Sequence, residues 1–206
     1  YPQENVDILI AEMEQQGISN NFTKIAILAT LAKESGLNPK SEKCYTNTSL
    51  SRIREIWPYF KKMDDGKLEE LKSDCKAFFN YVYEKNRKNK YGNRPGTDDG
   101  YDYRGRGFNQ VTFRGSYKKY AEESGVDILN NPDLLNEPKT AAIVAVKFLS
   151  NRLKKKFGTN NPDFKTQDEA TIAVAEANCK SPGAKKDCTR AINSARKRVP
   201  HFTKST

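Results

Sequence analysis

Residues 91–117 read YGNRPGTDDGYDYRGRGFNQVTFRGSY. Six of the chain's twelve glycines fall here, interleaved with Tyr91, Tyr101, Tyr103, Arg104, Arg106 and Gln110. Glycine bends where other residues clash, so this segment turns repeatedly while its large polar side chains converge. A loop of this length is uncommon in a compact domain unless it is functional or disordered. Its six aromatic residues and the GFNQVTF ending argue against disorder. The stretch predicts the floor of a cleft, and the rest of the chain is read as the frame that holds it.

On both sides the apolar spacing is helical. Val6, Ile8, Leu9, Ile10 and Met13 predict an amphipathic helix over 5–16, closed by Gly17. Ser19 or Asn20 can cap a second over about 22–34, where Ile25, Ala26, Ile27, Leu28, Ala29, Leu31 and Ala32 leave almost no polar face. That is the expected central buried helix. Helices are also expected over 49–60, shortened by Pro58, and over 67–83, with Leu68, Leu71, Cys75, Phe78, Phe79 and Val82 at helical steps. Downstream follow 116–123, 137–153, 168–177 and 184–198, with 159–166 as an exposed connection. The pattern predicts a mainly α, two-lobed single domain spanning residues 1–206, with a glycine-rich cleft loop and little β structure.

A chain of 206 residues can bury a full core without a metal or a partner. Its formal charge is +10, from 36 Lys+Arg against 26 Asp+Glu, which points to an anionic partner: nucleic acid, an acidic membrane face or an acidic cell-wall polymer. Cys44, Cys75, Cys179 and Cys188 form an even set without a C-x-x-C pair, which disfavours zinc and redox motifs and suggests two disulfides in an oxidising compartment. Cys179 and Cys188 are close in sequence and are expected to pair, leaving Cys44 with Cys75. No apolar run approaches membrane-spanning length, and a chain starting at Tyr1 suits a secreted or extracytoplasmic protein trimmed of a signal peptide. A monomer without membrane insertion is expected.

The lone histidine, His201, gives Ser-His-Asp, Cys-His and histidine-rich metal sites nothing to build on. Asp98, Asp99 and Asp102 lack the calcium-loop spacing and read as turn residues, so neither a metal nor a cofactor is expected. Trp57, Tyr59 and Phe60 follow helical spacing and read as core, whereas Tyr91, Tyr101 and Tyr103 sit among glycines where a ring can stack on a sugar.

Glu34 is the carboxylate that stands out. It ends the least polar helix, just before Ser35-Gly36, where burial and the negative end of the helix dipole both disfavour its charged form. A carboxyl kept protonated near neutral pH suits general acid catalysis of glycoside cleavage. A solvated glutamate that merely ends a helix is the other reading. Glu42 lies eight positions on, across a turn at Asn38-Pro39, and could face Glu34 over roughly 6.5 to 9.5 Å, the gap that admits a water in an inverting mechanism. Glu55 is a second candidate base, although its helical position reads as a solvated face.

Glu34-Ser35-Gly36, Glu42 before Asn47-Thr48-Ser49, Tyr91-Gly92-Asn93-Arg94, Asp99-Gly100-Tyr101 and the run from Tyr103 to Thr112, YRGRGFNQVT, together resemble glycoside hydrolase family 19 over about residues 20–155. That family holds chitinases and phage-type endolysins. The resemblance implies a lysozyme-like fold of the α+β type, Glu34 as general acid, Glu42 as base, Thr112 as a holder of the attacking water, and Gln110 as a sugar ligand. It also implies sugar contacts at Lys33, where the family usually has His, at Ser116, where Asn is usual, and at Asn178, where the glycines that normally follow are replaced by Cys179. Tyr91 and Tyr103 complete the expected substrate contacts.

Three functions compete on this reading. The first is an inverting glycosidase that cleaves β-1,4 links of an N-acetylated glycan, with bacterial peptidoglycan favoured over chitin because a cationic enzyme is concentrated on an anionic wall. The second is a glycan-binding relative with one silent carboxylate. The third is a nucleic-acid binder built on the RGRG run, which the dispersal of the basic residues among acids disfavours.

Overall fold

The structure is a computed structural model and describes residues 1–84 and 91–205. The first two helices are α1 (Gln3–Gln15) and α2 (Asn21–Ser35). α2 occupies the least polar stretch of the sequence, and every residue from Thr23 to Ala32 is buried. The Asn20 side-chain oxygen caps it by accepting from the Thr23 N–H at 3.1 Å. Gly36 ends it in the left-handed region, φ 62°, a conformation glycine adopts without a Cβ clash.

Next come α3 (Leu50–Ile56), a 3₁₀ turn (Pro58–Lys62), α4 (Asp65–Ser73) and α5 (Cys75–Glu84). Each of the two helices expected here is divided. Pro58 has no N–H to donate, so α3 stops at Ile56 and the chain restarts as a tighter turn. The run expected over 67–83 breaks at Asp74, which is extended (φ −108°, ψ 101°) and whose side chain accepts from the Ala77 N–H at 3.1 Å. An aspartate that caps the next helix competes with continuing the previous one.

The remaining elements are α6 (Asp99–Asp102), α7 (Arg114–Ser124), a 3₁₀ turn (Pro132–Asn136), α8 (Pro138–Phe157), α9 (Gln167–Cys179), α10 (Thr189–Arg198) and a 3₁₀ turn (Val199–His201). α10 begins later than the expected residue 184 because the preceding residues lie in a loop closed by Cys179–Cys188. Cys44–Cys75 is also formed, so both expected pairs are present. Residues 159–166 are more firmly held than an exposed connection. Asn160 is buried and donates to Gln16 O at 2.8 Å, and Asn161 Oδ1 accepts from the Ser19 and Asn20 N–H groups at 3.1 and 3.0 Å.

Three apolar clusters form the interior. The largest wraps α2 with α1, α8, α9 and α10. A second joins Tyr103, Val111, Tyr117, Leu135 and Val144. The third is aromatic, built on Phe60 and Phe78 with Tyr45, Trp57 and Tyr59 packed against it, so Trp57, Tyr59 and Phe60 are core as expected. The glycine loop is pinned into this frame: Phe108 sits in the first cluster and Tyr103 and Val111 in the second. Gly100 lies so close to α5 that a Cβ there would stand 2.5 Å from Phe79 O. Among the described residues, β structure is confined to one antiparallel bridge between Arg106 and Val111, and no helix is long and apolar enough to cross a membrane.

Candidate active site

The glycine loop is anchored at its start by an ion pair. Asp99 is buried and receives the Arg94 fork at 2.9 and 3.0 Å and the Arg94 backbone N–H at 2.8 Å. Burial alone would push its carboxyl up, but the Arg94 hydrogen bonds outweigh that and hold it below the usual carboxylate range. Asp99 is thus committed to the Arg94 turn, and Asp98 accepts from Asn80 Nδ2 on α5 at 3.0 Å.

The loop then folds back through the Arg106–Val111 bridge, with N···O distances of 3.1 and 2.9 Å. Two non-glycine residues beside this bridge have positive φ, Gln110 at 51° and Phe113 at 78°. Such backbones cost on the order of 1–3 kcal/mol each and persist only where the surroundings enforce them. Gln110 Nε2 donates to Lys40 O and Gly107 O, both at 3.0 Å. The Phe113 ring stacks on Tyr91 with centroids 4.7 Å apart and meets Tyr83 edge-on at 5.4 Å. Between these clamped residues stands Thr112, whose hydroxyl donates to Gln110 O at 3.0 Å.

Glu42 is brought to the same place by the backbone. Its N–H donates to Gly105 O at 2.7 Å, and its carboxylate accepts from Tyr83 OH at 2.8 and 3.0 Å, from Tyr45 OH at 3.0 Å and from the Gly105 N–H at 3.4 Å. Burial, then the Glu42 charge, push both tyrosine hydroxyls well above their ordinary value, so they remain protonated donors. A methyl group on Gly105 would lie 3.0 Å from Gln110 Oε1, 3.4 Å from Glu42 Oε1 and 3.5 Å from Thr112 Oγ1. Three side-chain oxygens thus converge over a bare backbone, and a side chain at Gly105 would crowd them, Gln110 Oε1 first.

Glu34 enters from the end of α2. Its Oε1 accepts from Lys33 Nζ and from Asn178 Nδ2, each at 3.2 Å. The apolar burial expected for it is not realised: the side chain is 26% exposed. Glu34, Gln110, Thr112, Ser116 and Asn178 line a single cavity of about 270 Å³, walled by Tyr120 and Phe148. Lys33 reaches it through Glu34, and Glu42 flanks it at Gly105.

Tyr91 and Tyr103, expected against substrate, do not line the cavity that holds Glu34 and Thr112. Tyr103 is 8% exposed, packs edge-on to Tyr117, donates its hydroxyl to Leu129 O at 2.8 Å and turns its remaining surface to a separate cleft. The Tyr91 ring backs Phe113, and its carbonyl accepts the Gly115 N–H at 2.9 Å. Tyr101 carries the Arg104 guanidinium 4.1 Å over its ring and lines a separate cleft of about 400 Å³. Glu55 pairs with Arg52 on an exposed face. The structure adds Tyr45 and Tyr83, for which the sequence carried no signal: they lie 38 positions apart and are joined by the Glu42 carboxylate and by Phe79, on which both rings pack.

No known family pattern matches the chain, and no curated protein is similar to it in sequence. The likeness is structural. A bacterial family 19 chitinase aligns with 98% of this chain and 85% of its own at a TM-score of 0.50 and 16% identity. Chitinase C from Streptomyces griseus aligns with 91% and 78% at 18% identity and a TM-score of 0.38. The chain thus has a helical, lysozyme-like fold. Within that class its architecture is that of the family 19 chitinases.

Proposed function

We propose that the protein is an inverting glycoside hydrolase of the family 19 type, acting on β-1,4 links of an N-acetylated glycan outside the cytoplasm. The observation that carries this reading is the meeting of Glu34 and Thr112 in one cavity, with the Glu42 carboxylate held beside Thr112 at Gly105. Glu34 Oε1 is occupied by Lys33 and Asn178, which leaves Oε2 to carry the proton to the glycosidic oxygen as the bond to the anomeric carbon breaks. A water beside Thr112 Oγ1 attacks that carbon from the opposite face and gives its proton to Glu42. Gln110, Ser116 and Asn178 supply polar contacts to the sugar, and Phe148 an apolar wall. The two disulfides suit an oxidising compartment.

Bacterial peptidoglycan is the preferred substrate on charge, since +10 favours an anionic wall. Chitin is the second reading, because the structural neighbours are chitinases by name. Mass spectrometry of products from purified peptidoglycan and from N-acetylglucosamine hexamer tests both. Turnover of neither glycan sinks the enzymatic reading.

Two substitutions test the machinery. Thr112→Val keeps the shape and removes the hydroxyl, so kcat should fall by about one to three powers of ten with little change in KM. Unchanged turnover would make Thr112 a packing residue. Tyr83→Phe keeps the ring stacked on Phe79 but removes the donor that reaches both Glu42 oxygens. A base that is less well fixed should lower kcat by about one to two powers of ten while the fold stays intact. If kcat holds, Glu42 does not depend on Tyr83 for its position.

A further inference from the structure

A second cavity, of about 140 Å³, adjoins the candidate active site and carries charges the proposed mechanism does not use. It lies between α8 and the end of α9, lined by Arg152, Lys156, Glu176, Lys180 and the turn Ser181 to Gly183. At about 30 Å³ per water it holds a few waters or one carboxylate. Both cavities draw lining residues from α8 and α9. On α8, Phe148 lines the first and Arg152, one turn on, lines the second, with its guanidinium 4.5 Å over the Phe148 ring. On α9, Asn178 faces the first, while Glu176 and Ala177 face the second.

The charges in this pocket do not balance. Glu176 Oε1 receives Lys156 Nζ at 2.9 Å and Lys180 Nζ at 3.6 Å. Arg152 forms no ion pair among the described residues, and its one protein acceptor is Ala177 O at 2.9 Å. Burial holds its guanidinium below the ordinary value, opposed only in part by the neighbouring Tyr120 hydroxyl, and no carboxylate pairs with it among the described residues. Capping the end of α9 accounts for one of its five N–H donors and, through the helix dipole, for about half a charge. Lys156 and Lys180 share Glu176, which leaves the half-buried Arg152 as the charge an entering anion would complete. A planar guanidinium fork favours a carboxylate, bound through two parallel hydrogen bonds. The Cys179–Cys188 bridge holds Lys180 at the rim.

We propose that this pocket is a carboxylate subsite, which receives the acidic substituent of a sugar held in the neighbouring cavity. It rests on the glycan-cleaving reading above and deepens it. The favoured glycan is one that bears lactyl or peptide carboxylates along its strand, as peptidoglycan does, and neutral chitin leaves the pocket unfilled.

Binding is measured on Glu34→Gln protein, with three probes: N-acetylglucosamine hexamer, peptidoglycan strands stripped of peptide, and strands with peptides attached. At low salt an acidic strand should bind at least about tenfold more tightly than the neutral hexamer, and the preference should shrink as salt rises. Arg152→Gln should erase the preference without weakening the hexamer, and Lys180→Gln, which removes the longer of the two Glu176 pairs, should reduce it. Tight binding of the stripped strand assigns the lactyl carboxylate; preference only with peptides assigns theirs. Equal affinity for acidic and neutral glycans overturns the proposal, and so does an equal loss on both in the Arg152 and Lys180 variants. If the unsubstituted protein cleaves neither glycan while the preference holds, the glycosidase reading has failed and the subsite has not.

Discussion

Replacing Glu34 by Gln is expected to cut glycan cleavage by about two to four powers of ten, the usual contribution of a general acid, and to leave the fold intact. Loss of rate and retention of fold have separate causes here. An amide has no proton to give the leaving oxygen. Both protein hydrogen bonds to Glu34 end on Oε1, so the amide oxygen of Gln can accept from Lys33 and Asn178 in the same place. The Lys33 pair is solvent-exposed and is worth about 0–1 kcal/mol, or a few degrees of Tm at most. An aryl glycoside with an acidic phenol as leaving group should recover part of the rate, since it departs without protonation. Near-native cleavage of peptidoglycan and chitin oligomers by this variant would falsify the acid assignment and the mechanism with it.

What the sequence revealed, and what it hid, follows from how local each feature is. The run Ile25 to Ala32 has no polar face, so its burial as α2 could be read directly. Cys179 and Cys188 lie close enough to pair by proximity, and that fixed the other pair. Gln110 and Thr112 could be singled out through the resemblance carried by YRGRGFNQVT, a contiguous run, and both line the cavity that Glu34 enters. Long-range geometry was not legible. Tyr45 and Tyr83 become partners only when α5 is laid beside the Glu42 loop, and no spacing encodes that. Asp74 looked like a helical position because apolar periodicity runs through it, whereas its side chain caps α5. Tyr103 sits among glycines as a sugar platform would, and its hydroxyl is bound by the Leu129 carbonyl, beside a cleft other than the one Glu34 enters. Glu34 ends an apolar helix but projects past its apolar side, toward Lys33 and Asn178.

Opening the Cys44–Cys75 bridge should be the most damaging change outside the cavity, because that bridge joins the two elements that hold Glu42. Cys44 precedes Tyr45, and Cys75 begins α5, which carries Tyr83; both hydroxyls end on the Glu42 carboxylate. The bridge spans 31 positions, so on chain entropy its removal costs about 3–4 kcal/mol, against about 2–3 for Cys179–Cys188 with its separation of 9. For a domain of this size that is a fall in Tm of roughly 10 °C. A variant with Cys44→Ala and Cys75→Ala should therefore melt lower than one with Cys179→Ala and Cys188→Ala. It should also lose kcat at temperatures where it is still folded, because Tyr45 and Tyr83 are then free to move relative to each other. Thermal unfolding and turnover, measured well below the transition, check the two effects separately. If the Cys44 and Cys75 variant stays folded and keeps full turnover, the tyrosine clamp does not position Glu42, and the base assignment must rest on Gly105 and Thr112 alone.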